Sequence, residues 1–395
     1  MNLFEFPGLI DCHVHFREPG LTHKGDMETE SAAARAGGVM TVCDMPNTVP
    51  ATTSIAALQW KMMRCEELQR EGRASDIRFF FGVTEPKHLI ALHKIWIGGS
   101  AEFQRLKRRC CGVKLYLDHS TGQQKIAWEL LEEVFHCCAE LKIPLVAHCE
   151  DPQINAEAAR NVMACDAASH SLRRPPESEV SAINTALHLV REHGTSFHIA
   201  HLSTAQGLGL VRSAKREQLP VTCEVAPHHL FLTTVDYATL GTFAKVNPPL
   251  RSPNDQCALW EGITDGTVDC IASDHAPHTL EEKRLDPLEA PSGVPGVETL
   301  LPLLFTVAAG KWPHPHSSFE LRASSFQHED IVRLCFENPN RIFNLGKEKS
   351  PQEKITINTS VEWVIRADTL HGKCKWTPYE GWNVVGKVVG VTPQR

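Results

Sequence analysis

The sequence has no Cys-x-x-Cys pair despite its 14 cysteines, so a structural zinc ribbon is excluded. It has no short disulfide framework either. Cys43, Cys223 and Cys270 sit inside apolar segments and read as small buried hydrophobes in a reducing compartment. No apolar stretch is long enough to span a bilayer. The first residues lack a basic region followed by an apolar run, so no secretory leader is expected and a cytoplasmic location is. There is no excess of positive charge: Lys+Arg number 40 against Asp+Glu 47, a formal net charge of -7. Nothing therefore asks for nucleic acid or an acidic membrane surface. The basic cluster Arg105, Lys107, Arg108 and Arg109 reads as a solvated helix end or loop. Internal repeats and long low-complexity linkers are also missing.

What remains is a soluble globular composition, 42% hydrophobic and 22% charged over 395 residues, enough for two or three domains or one large α/β barrel. Apolar, β-rich runs predict strands at Leu9–Phe16, Gly38–Met45, Ile77–Val83, Val113–Leu117, Pro144–His148, Phe197–His201, Val221–Val225 and Val268–Ser273. Helical segments are predicted between them, as at Ser54–Glu71, Glu85–Trp96, Ile126–Leu141, Glu179–His193, Thr204–Gln218 and Cys257–Gly262. A long polar stretch follows Glu150, and Ile97–Cys110 looks like extra sequence before the fourth strand. Asp330–Phe336 is a predicted helix ended by Asn338-Pro339-Asn340-Arg341. Such alternation argues for parallel strands, and about eight repeats is the count for a (β/α)8 barrel, although an open doubly wound sheet shares the pattern. The position of polar residues favours the barrel. His13, His15, Asn47, Lys114, His148, His201 and Asp274 all fall toward the C-terminal ends of six different strands, where a ring would bring them together. The expected architecture is a TIM-type (β/α)8 barrel over residues 1–345. A small C-terminal β extension, 346–395, packs on it as short antiparallel strands.

His13 and His15 are two apart in a strand, so their side chains share one side. Imidazole and carboxylate suit Zn²⁺. Four histidines, a lysine and an aspartate are too many for one tetrahedral ion, and suit two ions about 3.5–4 Å apart. An ammonium repels cations, so Lys114 joins such a set only when neutral or converted to a carbamate.

With these motifs the sequence resembles the amidohydrolase superfamily, and within it the dihydroorotases. Phe16-Arg17-Glu18-Pro19-Gly20, Met45-Pro46-Asn47-Thr48 and Ser273-Asp274-His275-Ala276-Pro277-His278 carry that resemblance. Cys223–Leu230 and Gly293–Pro302 are similar to the dihydroorotase part of the animal multifunctional pyrimidine-synthesis protein. The resemblance implies reversible hydrolysis of L-dihydroorotate to N-carbamoyl-L-aspartate. His13, His15 and Asp274 would hold one zinc, His148 and His201 the other, and N-carboxylated Lys114 would bridge them. It further implies Asp274 as the proton-transferring group and Arg17, Asn47 and His278 as the readers of the substrate's carboxylate. Asn247 would meet the ring amide, though Asn-Pro-Pro is also an ordinary rigid loop. In the flap Leu117–Gln123, Ser120 or Thr121 would touch the ligand. Ala200 stands where the animal enzyme has a cysteine linked to an additional zinc, so no third metal is expected despite Glu224. His228 and His229 are expected to serve packing or helix ends. The expected partners are a small-molecule substrate and a second copy of the chain in a homodimer.

Overall fold

The computed structural model describes residues 3–118, 124–315, 326–348 and 354–391. The strands are β1 Leu3–Pro7, β2 Leu9–Val14, β3 Val39–Asp44, β4 Asp76–Gly82, β5 Cys110–Tyr116, β6 Leu145–His148, β7 Phe197–Ile199, β8 Val221–Val225, β9 Cys270–Ile271, β10 Lys354–Val364 and β11 Asn383–Val391. β2 to β9 pair in chain order as one eight-stranded sheet, parallel at each junction. The sheet curls until its ends meet. Val14 bridges His275, the His15 amide donates to the His275 carbonyl (2.8 Å), and the Ser273 amide donates to Asp11 Oδ1 (3.1 Å). The result is the barrel expected from the alternation, joined at its seam by a bridge, a backbone bond and a side-chain bond.

Apolar packing forms two layers. Ile10, Cys12, Cys43, Phe80, Cys111 and Val146 fill the barrel interior, and a larger cluster lies between strands and helices. Strict alternation along β2 would place His13 opposite Ile10 and Cys12. The ladder with β3 shifts register between Asp11 and Val14, and the Asp11 carboxylate accepts from the His13 amide at this irregularity (3.2 Å). Such an irregularity re-aims side chains, and here it turns both histidines inward above the cysteine.

Several elements differ from the sequence pattern. The polar stretch after Glu150 contains helices Pro152–Asn161 and Ser169–Arg173, and the next helix starts at Pro176 rather than Glu179. Their polar faces hide the apolar period. Ile126–Leu141 is helical only from Trp128, as a 3-10 turn before Leu131–Leu141, and the helix expected at Cys257–Gly262 runs Pro253–Thr264. Leu300–Ala308 is helical and almost wholly buried, so it shows no amphipathic stripe to read. Pro339 does not end the helix His328–Val332. A π turn, Arg333–Glu337, widens the path and the helix resumes over Asn338–Ile342, with Pro339 in its first turn, where no N–H is needed. The unexplained segment 97–110 is mostly a helix, Ala101–Arg109, capped by Ser100. Lys107, Arg108 and Arg109 of its basic cluster lie in the last turn, where cations offset the helix dipole. Arg105 pairs with Glu66 and Arg109 with Asp76.

The tail forms β10 and β11, which pair antiparallel. β1 joins them along β10's other edge, so both ends of the described chain build this sheet. Gly38 permits the contact between it and the barrel. Its φ is +80°, and an added Cβ would lie 2.7 Å from Ile355 and 2.9 Å from Leu301.

Asp76, at the start of β4, gathers Arg78 (3.0 Å), Arg109 (2.8 Å) and Lys347 (3.0 Å). Burial pushes its carboxyl up, but the cations outweigh burial and hold it at about 2, below the ordinary 3.8. A depressed acid stabilises the fold above its unfolded value, and loses that contribution as pH falls through the folded one. Asp76→Asn should therefore remove about 2 kcal/mol at neutral pH. It should also flatten the stability loss between about pH 4 and 2, as read by denaturant unfolding.

Candidate active site

The C-terminal ends of the strands converge on a buried group of side chains. His13 and His15 leave β2 with ring centroids 5.3 Å apart. Their Nε2 atoms lie 3.3 and 3.1 Å from the same Asp274 oxygen. The ligand atoms of these three residues all lie within 4.8 Å of one another. His148 ends β6 and His201 follows β7, and His148 Nδ1 is 3.1 Å from His201 Nε2. The His13 and His201 rings are 5.2 Å apart, so the two groups form one site.

Each of three histidines has its outer nitrogen fixed. His13 Nδ1 meets Glu224. His15 Nδ1 donates to Asn47 Oδ1 (2.6 Å), and His148 Nε2 to Glu150 Oε2 (2.7 Å). In a metal site such bonds choose the tautomer and leave the other nitrogen's lone pair facing the ion. Glu150 is itself held by Arg174 (2.6 Å). The Glu224 carboxylate is encircled by His13, His198, Cys12 and the His201 amide.

Lys114 lies mid-barrel on β5, 1% exposed. Its Nζ has no hydrogen-bond partner among the described residues and stands 5.1 Å from the Tyr116 ring centroid. Burial drives its pKa down to about 8, against the pull of Glu224 and Asp274. A buried, unpaired ammonium is costly. A carbamate on that nitrogen would replace it by two ligand oxygens, so the donor set fits a pair of divalent cations. Burial also pushes His15 down to about 4 and His201 well below its usual range, which keeps both rings neutral, as ligands must be. Burial raises the Asp274 carboxyl, but His13 and His15 outweigh it and hold Asp274 well below the usual carboxylate range.

Beside this group lies a cationic corner. Arg17 is 1% exposed. Its Nε donates to the Pro277 carbonyl (3.2 Å) and its Nη2 lies 3.2 Å from His278 Nε2. Its Nη1 is buried with no partner among the described residues. Burial lowers Arg17 to about 10, leaving it charged. His278 Nδ1 accepts from Lys24 (3.1 Å) and its Nε2 donates to the Ser292 carbonyl (3.0 Å). Burial, aided by the neighbouring cations, lowers its pKa to about 3 despite Glu282. Arg17, His201 and Asp274 have φ of +67°, +34° and +45°. Non-glycine residues hold that conformation at a cost of roughly 1–3 kcal/mol each, typically where a site demands it.

The structure thus brings together His13, His15, Asn47, His148, His201 and Asp274, with Lys114 buried among charges it shares with them and Arg17 beside His278. Asn247 stands apart from this network: its Oδ1 accepts from His170 Nε2 (2.8 Å), and it precedes a cis proline. Ser120 and Thr121 lie outside the described residues. Cys12, His198 and Glu224 form another buried cluster of possible ligands, but burial holds the Cys12 thiol well above its ordinary value. Sequence reasoning missed Glu150 and Lys24, and considered Glu224 only as a metal ligand. An acid two residues beyond His148 and one inside the apolar run Val221–Val225 were the available signals. His228, expected to be a packing residue, has both ring nitrogens buried without a partner among the described residues. His229 donates to the Pro248 carbonyl (3.0 Å).

A family model described as dihydro-orotase-like matches residues 4–77. The chain is 37% identical to the dihydroorotase of Methanosarcina mazei, over 96% of this chain and 80% of that protein. It is 34% identical to the dihydroorotase of Halobacterium salinarum, over 95% and 82%. With the multifunctional protein CAD of Squalus acanthias it shares 33% identity, over 98% of this chain and 14% of that much longer one. Among solved structures, the L-hydantoinase (dihydropyrimidinase) of Arthrobacter aurescens matches with a TM-score of 0.83 and 26% identity, covering 99% of this chain and 85% of that one. The dihydropyrimidinase of Brevibacillus agri matches in fold, with a TM-score of 0.84 at 21% identity, covering 99% and 84%.

Proposed function

This chain belongs to the dihydroorotase family of cyclic amidohydrolases, and from that premise we propose that it interconverts L-dihydroorotate and N-carbamoyl-L-aspartate in pyrimidine biosynthesis. The observation that carries the reading is the buried pair of charged Arg17 and neutral His278 next to the His/Asp/Lys group. One part reads an anion and the other does hydrolysis. His13, His15 and Asp274 would hold one Zn²⁺, His148 and His201 a second, and N-carboxylated Lys114 would lie between them. When bound, such a pair lowers the pKa of water and polarises a carbonyl.

The chain's own groups do the rest. Asp274, kept ionised by the neighbouring histidines, takes the proton from the attacking water and returns it to the ring nitrogen as the C–N bond breaks. Run in reverse, the same carboxylate takes a proton from the carbamoyl nitrogen as the ring closes. Arg17 offers a planar, permanently charged fork to the substrate's carboxylate. Asn47 contributes its amide donor there while its oxygen fixes His15. Neutral His278 adds bulk and polarity rather than charge. Asn247 is proposed to meet the ring amide, with Ser120 or Thr121 above it. A cytoplasmic homodimer completes the proposal, and light scattering of the purified chain tests the dimer. No helix among the described residues is long and apolar enough to cross a membrane.

The deciding assay is steady-state turnover of dihydroorotate at alkaline pH and of carbamoyl aspartate at mildly acidic pH, beside hydantoin and dihydrouracil. Faster turnover of either neutral ring than of dihydroorotate would refute the carboxylate reading. Arg17→Ala should raise KM for dihydroorotate by roughly 10²-fold, the scale of a lost buried charge-assisted pair, with a smaller change in kcat.

A further inference from the structure

The two halves of the cationic corner come from opposite ends of the barrel's sequence, Arg17 after β2 and His278 after β9. Ligand discrimination requires a fixed spacing between them, and the strands at the barrel seam there are joined by a bridge, a backbone bond and a side-chain bond, with Arg17 itself reaching across to the Pro277 carbonyl. The segment between β10 and β11 crosses this seam on the outside. Trp376, 5% exposed, donates from Nε1 to the His278 carbonyl (2.7 Å). Its ring packs on Phe243 (5.1 Å) and faces the Lys283 ammonium (5.5 Å). Lys283 is in turn gripped by the carbonyls of Lys245, Pro291 and Gly293. Three residues earlier, Lys373 reaches the β2 side: its Nζ donates to the Thr22 carbonyl (2.6 Å) and Asp26 (2.9 Å). Its amide donates to Glu30 (3.0 Å), whose other oxygen meets His275 Nε2 (2.9 Å).

We infer that residues 371–376 are a strap that sets the separation of Arg17 and His278, with Trp376 as the positioning residue for recognition of the substrate's carboxylate. The inference rests on the proposed function and adds to it a role for the tail. Trp376 touches neither substrate nor reacting atoms, so its effect is on binding. Loosening the strap leaves Asp274 and the histidines in place and lets the anion-reading loops drift apart.

Trp376→Phe keeps an aromatic ring and deletes the indole donor to the His278 carbonyl. KM for dihydroorotate should rise roughly five- to tenfold with kcat within about twofold, the pattern of lost binding common to ground and transition states. Lys373→Ala, at a more exposed position, should shift KM the same way by about two- to threefold, and serves if Trp376→Phe folds poorly. Unchanged KM in both folded variants, or a fall in kcat with KM unmoved, overturns the strap while leaving the proposed function standing. A parent protein inactive on dihydroorotate overturns both.

Discussion

Asp274→Asn is expected to lower dihydroorotate turnover by at least about 10³-fold, within the range credited to a positioned acid–base group, while the protein stays folded. The substitution is nearly isosteric, and asparagine tolerates the left-handed backbone this position adopts, φ +45°. The amide oxygen can still face His13 and His15 Nε2, now 3.3 and 3.1 Å from the carboxylate. What disappears is a proton acceptor in an environment arranged to keep it ionised. Metal content per chain, measured beside activity, separates the roles. Substantial metal with turnover nearly gone supports Asp274 as the proton carrier. Retained turnover would eliminate that role, and loss of metal in parallel with activity would reduce Asp274 to a ligand.

The second large effect concerns Lys114. Its folded pKa of about 8, against an ordinary 10.5, means that folding disfavours the protonated form. The sign is therefore destabilising: the penalty is fully present below pH 8 and fades as pH rises toward 10.5. For the metal-free protein this amounts to about 3 kcal/mol. Lys114→Met removes the ammonium with little change in shape. The metal-free variant should be more stable than the metal-free parent by about 1–3 kcal/mol at neutral pH, yet inactive. The smaller variant Lys114→Ala leaves a space at the same point, and a short carboxylic acid added to it should restore some turnover. Rescue by acetate or propionate, but not by an amine, would identify a carboxylated nitrogen as the working form. A metal-loaded Lys114→Met with parental activity would remove the lysine from the site altogether.

Much of this site was legible because strand chemistry has a short period. A two-residue repeat makes His13 and His15 neighbours before any tertiary contact exists, and a barrel collects whatever ends its strands. The helices were less visible where burial was one-sided in the wrong way. Pro152–Asn161 is half polar with Ile154 its one large apolar side chain, and Leu300–Ala308 is apolar but for Thr306, so neither shows the stripe that marks a helix. The supporting residues were least legible. Glu224 and His13 are 211 positions apart, and no local pattern announces that one selects the other's tautomer.

The sequence by itself determined the eight barrel strands, the residues near their ends and the charge each can carry, since all three follow from side-chain chemistry and local periodicity. Only the tertiary structure decided which nitrogen of each histidine faces inward, that Lys114 is buried without a partner among the described residues, and that the tail reaches back over the seam to His278. Those are outcomes of closure. When the first and last barrel strands meet, groups from distant stretches lose water together, and their pairing is set by the space that remains.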